Sequence, residues 1–127
     1  MIHGELGRVY HDADVIFREG DDGDAMYVIQ FGQVNITKKT TAGEAPIAVL
    51  GPGEVFGEMA LFDKKPRSAT ASARSECRVL RVDRRKFFAS MSRDPTLAFK
   101  ILQSLSQRIR RLNEELAGRQ YLPADRP

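Results

Sequence analysis

The sequence predicts a mainly β domain with flanking helices, and the spacing of its apolar residues is the main reason. Up to about residue 82, short segments that alternate apolar and polar residues are separated by turn-forming clusters, a pattern typical of a sandwich or barrel. After about residue 83, apolar residues recur every three or four positions, which is the helical period. The 127 residues suffice for one ordinary domain, so residues 1–127 are predicted to form a single domain.

Short strands are predicted throughout the first part of the chain. They cover residues 15–17, 26–29, 33–38, 46–50, 68–73 and 77–82. Turn-forming residues separate them, including an acidic turn at 21–24 and a hairpin loop at 40–44. Because the acidic turn lacks the alternating ligands of a calcium loop, it is interpreted as a solvated turn.

The helical part divides into a short and a long helix. Asp83 is predicted to cap the short one, and Asp94 with Pro95 to cap and open the long one. The long helix is expected to run to about Ala117, with Gly118 as its stop. The predicted layout is therefore strands over about 9–82 and helices over about 83–117.

The stretch 56–70 carries the clearest chemistry. Gly57 lets the backbone approach a ligand closely, and the helical turn that follows presents unpaired N–H groups to a phosphate. Arg67 can hold two phosphate oxygens in its guanidinium fork, and the Ser68 hydroxyl can donate one more bond. Glu58 would be repelled by a phosphate, so it needs a donor of its own, such as a ribose hydroxyl. The stretch predicts a sugar phosphate site, although Glu58 and Arg67 could instead form a surface ion pair.

Residues 56–61 and 66–70 resemble the phosphate-binding cassette of the cyclic nucleotide-binding domain family. That family includes the catabolite activator protein, regulatory subunits of cyclic-AMP-dependent kinase and cyclic-nucleotide-gated channels. The resemblance implies a jelly-roll-like β-roll followed by a short and a long C-terminal helix. It also implies that Gly57 and Glu58 meet the ribose 2′-hydroxyl, while Arg67, Ser68 and the Ala69 backbone hold the cyclic phosphate.

Recognition of the base is expected on the long helix. Aligned with the family, its capping positions fall at Arg108 in channel-like members and at Leu112 and Asn113 in activator-like members. Arg108 could stack on a purine, and Asn113 could hydrogen-bond its edge, either within the chain or from a partner chain. Ser68 stands where members that prefer cyclic GMP carry threonine, which favours cyclic AMP over cyclic GMP. The predicted ligand-binding residues are Phe56, Gly57, Glu58, Met59, Ala60, Arg67, Ser68, Ala69, Arg108 and Asn113.

The long helix also predicts assembly. Its apolar residues follow the alternating spacing of four and three that defines a coiled-coil seam. They are Ala98, Leu102, Leu105, Ile109, Leu112 and Leu116. A homodimer through this helix is expected, the alternative being that the stripe packs on the chain's own β-roll.

The predicted function is a regulatory domain that senses a cyclic nucleotide, most consistent with cyclic AMP, and signals through movement of the C-terminal helix. The alternative is an interaction or scaffold domain that keeps the fold and dimerises without binding the nucleotide. No enzyme activity, cofactor or metal is expected, because the chain has only His3 and His11 as imidazole ligands and no positioned base.

Composition limits the other classes. No apolar run approaches the length of a membrane span, the start carries no export signal, and Cys77 is the single cysteine, so a cytoplasmic location is expected. The arginines after Arg67 could form a nucleic-acid face, but solvated helix and strand faces are favoured. Residues from Arg119 onward are expected to fray and are too few for a DNA-reading head, so direct DNA binding is not expected.

Overall fold

The computed structural model describes residues 5–120, with the side chains described up to residue 118. The strands are β1 Arg8–Tyr10, β2 Val15–Phe17, β3 Ala25–Phe31, β4 Val34–Thr40, β5 Gly43–Leu50, β6 Val55–Phe56, β7 Thr70–Ala73 and β8 Cys77–Asp83. A 3₁₀ helix covers Glu58–Leu61, and two α-helices follow the strands, α1 Arg84–Arg93 and α2 Thr96–Gln120. The predicted fold class, a β-roll followed by a short and a long helix, is confirmed.

Two antiparallel sheets of four strands build the roll. One has the order β1-β8-β3-β6 and the other β2-β7-β4-β5. Apolar residues from both sheets meet between them in one buried cluster, because alternate residues of each strand point inward. That cluster consists of Ile29, Val34, Phe56, Ala71, Ala73, Cys77 and Val79.

The helices cover the other face of the first sheet. Met26 and Val28 of β3 and Leu80 and Val82 of β8 point to that face and are buried there. They pack against Leu61, Phe87, Leu97 and Ile101 from the 3₁₀ helix, α1 and α2. Strands β3 and β8 are therefore buried on both faces, and the start of α2 is fixed beside the residues 56–70.

Both predicted helix caps are present at the starts of the helices. The Asp83 carboxylate accepts a hydrogen bond from Lys86 N at 2.8 Å, and Asp94 accepts one from Thr96 N at 3.0 Å. The predicted stop at Gly118 is wrong, because α2 continues through it to Gln120. Glycine ends a helix when it takes a positive φ, and Gly118 does not.

The predicted frayed tail lies mostly outside the described residues. Arg119 and Gln120 belong to α2, and residues 121–127 are not among those described. In the part of the chain that the structure does describe, no helix is long and apolar enough to cross a membrane.

Strands β1 and β6 were not predicted. Both are short, with three and two residues, and neither forms a three-residue apolar run like that of β2. Their partners β8 and β3 are distant in sequence, so no local pattern marks them. The hairpin between β4 and β5 is tighter than the predicted 40–44 loop, since β5 already begins at Gly43, which has a φ of 108°.

Candidate functional site

Gly57 shapes the start of the 3₁₀ helix. It adopts the left-handed conformation, with φ 72° and ψ 15°, which residues with a side chain rarely take. Its carbonyl oxygen accepts hydrogen bonds from Ala60 N at 3.3 Å and from Arg67 Nη1 at 2.9 Å. A Cβ atom on Gly57 would lie 2.7 Å from that same Nη1, so a larger residue would displace the arginine.

Arg67 is buried and held on several sides. The residue is 8% exposed, and its Nη2 donates to the Ala25 carbonyl at 2.7 Å. The guanidinium carbon lies 4.1 Å from the centre of the Phe17 ring and 5.7 Å from that of Tyr27. Burial lowers the pKa of the guanidinium, but arginine stays charged at neutral pH. Its Nε has no hydrogen-bond partner, and no carboxylate among the described residues forms an ion pair with it.

Glu58 is the second buried charged residue of this region and is 1% exposed. Arg108 of α2 places its Nη2 2.8 Å from Glu58 Oε1, so the two side chains form an ion pair. The N–H groups of Arg108 are not aimed at that oxygen, which is left without a hydrogen bond. The structure thus joins Glu58 to Arg108 and not to Arg67, the surface pair considered from the sequence.

Arg67 Nε and Glu58 Oε1 are thus a buried donor and a buried acceptor without hydrogen bonds, although Glu58 Oε1 keeps its ionic contact with Arg108. An unpaired buried polar group costs about 1–3 kcal/mol, and more when it is charged. A ligand that offers an anionic oxygen to Arg67 Nε and a hydroxyl to Glu58 Oε1 would satisfy both atoms. This is the chemistry of a sugar phosphate with a free hydroxyl.

The remaining cassette residues divide between support and surface. Phe56 is buried, with its ring stacked on Tyr27 at a centroid distance of 5.3 Å, and Ala60 is buried as well. Met59 is 50% exposed and points away from the core. Ser68 is exposed and Ala69 is half-buried, so the loop after Arg67 is open to a ligand.

The two predicted base-capping residues differ in position. Arg108 is brought to the cassette by its pair with Glu58, whereas Asn113 is exposed further along α2. At a rise of about 1.5 Å per residue, Asn113 lies about 7.5 Å beyond Arg108 along the helix axis. Its role as a base contact stays a prediction.

Sequence reasoning missed the residues that hold Arg67 in place. The rings of Phe17 and Tyr27 lie against its guanidinium, and both pack on the ring of Phe56, with centroids 5.3 to 5.9 Å apart. Gly23 of the acidic turn also lies against it, since a Cβ there would be 2.3 Å from Arg67 Nε. The carboxylates of the turn are exposed, as predicted, but its backbone forms a wall of the site. No local pattern marks these contacts, because they join separate strands.

A cavity of about 410 Å³ opens beside the cassette. Its lining carries three acidic residues, Asp22, Asp24 and Asp63, against two basic ones, Lys64 and Arg84, so the excess of carboxylates disfavours a phosphate there. The predicted phosphate contact therefore rests on Arg67, whose Nε lacks a hydrogen-bond partner, and not on the volume of this cavity.

The comparisons with known proteins identify the family of this chain. The family model of the cyclic nucleotide-binding domain matches residues 7–94. The chain belongs to the cyclic nucleotide-binding domain family, a family of regulatory binding domains. The matched residues contain the whole cassette and end before α2, so Arg108 and Asn113 lie outside the match.

Relatives and solved structures show the same relationship. The cyclic AMP receptor protein of Thermus thermophilus is 37% identical over 110 residues, covering 86% of this chain and 51% of the relative. The crystal structure of the Thermus thermophilus catabolite activator protein superposes with a TM-score of 0.76 at 37% identity, covering 86% of this chain and 52% of that one. The EAL enzyme Bd1971 in its cAMP-bound form gives a TM-score of 0.62 at 35% identity, covering 87% and 30%. The chain spans about half the length of the receptor protein it matches.

Proposed function

We propose that this chain is a regulatory domain that binds cyclic AMP at the cassette and transmits binding through α2. The observation that carries the proposal is the pair of unsatisfied buried atoms, Arg67 Nε and Glu58 Oε1. A cyclic nucleotide has the two groups that these atoms lack, an anionic phosphate and a free 2′-hydroxyl a few ångströms apart. Similar proteins are described as a cyclic AMP receptor and as a cAMP-bound enzyme, which supports the same ligand class.

The phosphate end is formed by the residues that follow β6 and precede β7. Arg67 supplies the charge and a directed donor, while the Ser68 hydroxyl and the Ala69 N–H supply neutral donors. Gly57 and Glu58 take the ribose, with the Glu58 carboxylate accepting from the 2′-hydroxyl. Charge-assisted hydrogen bonds of this kind are about twice as strong as neutral ones, so this end provides most of the affinity.

The base end depends on α2. Arg108 is already beside the cassette through Glu58, and a ribose hydroxyl bound to Glu58 would loosen that pair. The released guanidinium can then stack on the base and draw α2 toward the ligand. The domain signals by this movement, whose size in free energy is limited to the difference in ligand affinity between the two states, typically about 1–3 kcal/mol.

Dimerisation through α2 forms the second part of the proposal. Leu97 and Ile101 on one face of the helix are buried against the roll, whereas the seam residues further along face solvent. The exposed seam residues are Leu102, Ile109, Leu112 and Leu116, between 48% and 65% exposed. The other two seam residues, Ala98 and Leu105, are partly buried against the roll. An apolar stripe of this length is stable in water when a second helix covers it, and Asn113 would then face a partner's ligand.

Thermal melts test the binding part directly. With cyclic AMP at one hundred times its dissociation constant, the free energy of unfolding should rise by about 2.7 kcal/mol. 5′-AMP, which has the same base and an open phosphate, serves as the control and should produce a smaller shift. The proposed role is cytoplasmic and non-catalytic. Because no catalysis is proposed, cyclic AMP should be recovered unchanged after the melt.

A second candidate is a scaffold domain that dimerises without a nucleotide, and the exposed α2 seam favours it. The same melts distinguish the two functions. Absence of a shift with both cyclic AMP and cyclic GMP, in a chain that still dimerises, would support the scaffold and contradict the sensor.

A further inference from the structure

Lys38, at the end of β4, reaches into the phosphate-binding loop. Its ammonium nitrogen donates to the Ser68 carbonyl oxygen at 2.7 Å. The same nitrogen lies 3.4 Å from Glu19 Oε2, a longer contact. The main partner of Lys38 is therefore the cassette backbone. The Glu19 carboxylate forms a second, longer ionic contact with the same ammonium group.

Glu19 is itself fixed at this position. Its Oε1 accepts a hydrogen bond from Lys39 N at 2.9 Å, and its own N–H donates to Thr70 Oγ1 at 2.9 Å. The bond from Lys39 N is the largest cause of a lowered pKa for the Glu19 carboxyl, so the group is ionised at neutral pH. Through its carboxylate and its backbone N–H, Glu19 thus ties together the end of β2, the end of β4 and the start of β7.

The contact with Ser68 has a geometric consequence for Ala69. A trans peptide is planar, so the Ser68 carbonyl and the Ala69 N–H share one plane and point in opposite directions. No hydrogen bond among the described residues uses the Ala69 N–H. A charged donor on the carbonyl also polarises the peptide, which makes the opposite N–H a stronger donor.

We propose that Lys38, held by Glu19, is a positioning residue that directs the Ala69 N–H toward the phosphate of the ligand. This inference rests on the proposed binding function, because it concerns how one donor of that site is oriented. Lys38 acts through the peptide plane and does not itself touch the ligand. Hydrophobic residues at this position would leave the plane free to rotate.

Titration calorimetry on the full chain tests the proposal with cyclic AMP and its two phosphorothioate diastereomers. Each diastereomer replaces a different phosphate oxygen by sulfur, a poorer acceptor. Lys38→Met should weaken cyclic AMP binding about tenfold, equal to about 1.4 kcal/mol. It should also reduce the difference in affinity between the diastereomers, because an undirected N–H no longer favours one oxygen.

Two further variants separate positioning from charge and from folding. Lys38→Arg keeps a cationic donor and should restore affinity to within about threefold of the parent. Arg85→Met removes one positive charge from an exposed site on α1 and should bind as the parent does. Unliganded melting temperatures should differ little, because a partly exposed ion pair contributes little to the free energy of unfolding.

The outcomes are distinct. A parent chain that binds no cyclic AMP contradicts the proposed function itself. A parent that binds, with Lys38→Met equal to it in affinity, overturns the role of Lys38 alone, as does a loss of affinity in which the diastereomers are still distinguished equally. Should Lys38→Met fail to fold, Glu19→Gln provides the test, with affinity at least about threefold weaker expected and parental affinity overturning the proposal.

Discussion

The two ends of the proposed ligand site are built differently. At the phosphate end, Arg67 is buried, stacked on Phe17 and fixed by two carbonyl oxygens. At the base end, Arg108 has a side chain that is 45% exposed and is held by one ion pair to Glu58. In the proposed function, the roll would therefore fix the phosphate, whereas contact with the base would depend on where α2 lies. Such a division would suit a sensor, because the firmly held end would bind the ligand and the more exposed end would report binding.

The largest effect is expected at the rigid end. Arg67→Ala should lower the affinity for cyclic AMP about a hundredfold, because a buried charge-assisted contact contributes about 2–3 kcal/mol. Calorimetric titration measures the loss, and Arg85→Ala, which removes an exposed arginine of α1, is the matched control. Parental affinity in Arg67→Ala, with a normal unliganded melt, would show that the phosphate lies elsewhere.

Next in size is the effect on assembly. Ile109→Lys places a charge in the proposed α2 seam and should weaken the dimer about thirtyfold, equal to about 2 kcal/mol. Gln107→Lys adds the same group two positions away, about 200° around the helix, and should leave the dimer intact. Sedimentation across a concentration series distinguishes the two variants. A parent chain that is monomeric at every concentration would contradict the proposed dimer through α2.

A smaller loss is expected from the backbone that holds Arg67. Gly57→Ala introduces a left-handed alanine and a Cβ only 2.7 Å from Arg67 Nη1, so the guanidinium must move. Affinity should fall about tenfold, or about 1.4 kcal/mol. Gly43→Ala is the control, because Gly43 also has a positive φ but no atom within 4 Å of the added carbon. Similar affinities in the two variants would show that the close packing of Gly57 on Arg67 is not needed for ligand binding.

The smallest effect is expected at the base end of the proposed site, at Arg108 of α2. Arg108→Ala removes a stacking contribution of about 0.5–1 kcal/mol, so the affinity for cyclic AMP should fall about threefold. Its ratio to the affinity for cyclic GMP should fall by up to the same factor, because the lost contact is to the base and the phosphate contacts are common to both nucleotides. Competition titrations with both nucleotides report the ratio. An unchanged ratio would assign base recognition to another residue, with Asn113 the next to test.

Much of the cassette could be predicted because it is local in sequence. The helical turn after Gly57 is present, and Glu58 and the arginine nine residues later lie on the same stretch, although the burial of Glu58 was not foreseen and the ligand roles of both residues stay predictions. The partners that hold Arg67 could not be predicted in this way. Ala25 and Phe17 come from other strands, and only the register of β2 and β3 brings them to the guanidinium.

The helices show the same limit. Asp83 and Asp94 mark the helix starts correctly, because capping is a contact between near neighbours. The stop at Gly118 failed because glycine permits a left-handed turn without requiring one. The contact between Glu58 and Arg108 spans 50 residues, and the spacing of the seam alone did not indicate it.

The most direct test compares cyclic AMP with 2′-deoxy cyclic AMP by calorimetry on the parent and on Glu58→Gln. If Glu58 Oε1, which lacks a hydrogen bond, accepts one from the ribose, the parent should bind the deoxy analogue about tenfold more weakly, and the variant should bind the two ligands within about twofold of each other. Equal affinity of the parent for both ligands, or binding of neither, would contradict the proposed site.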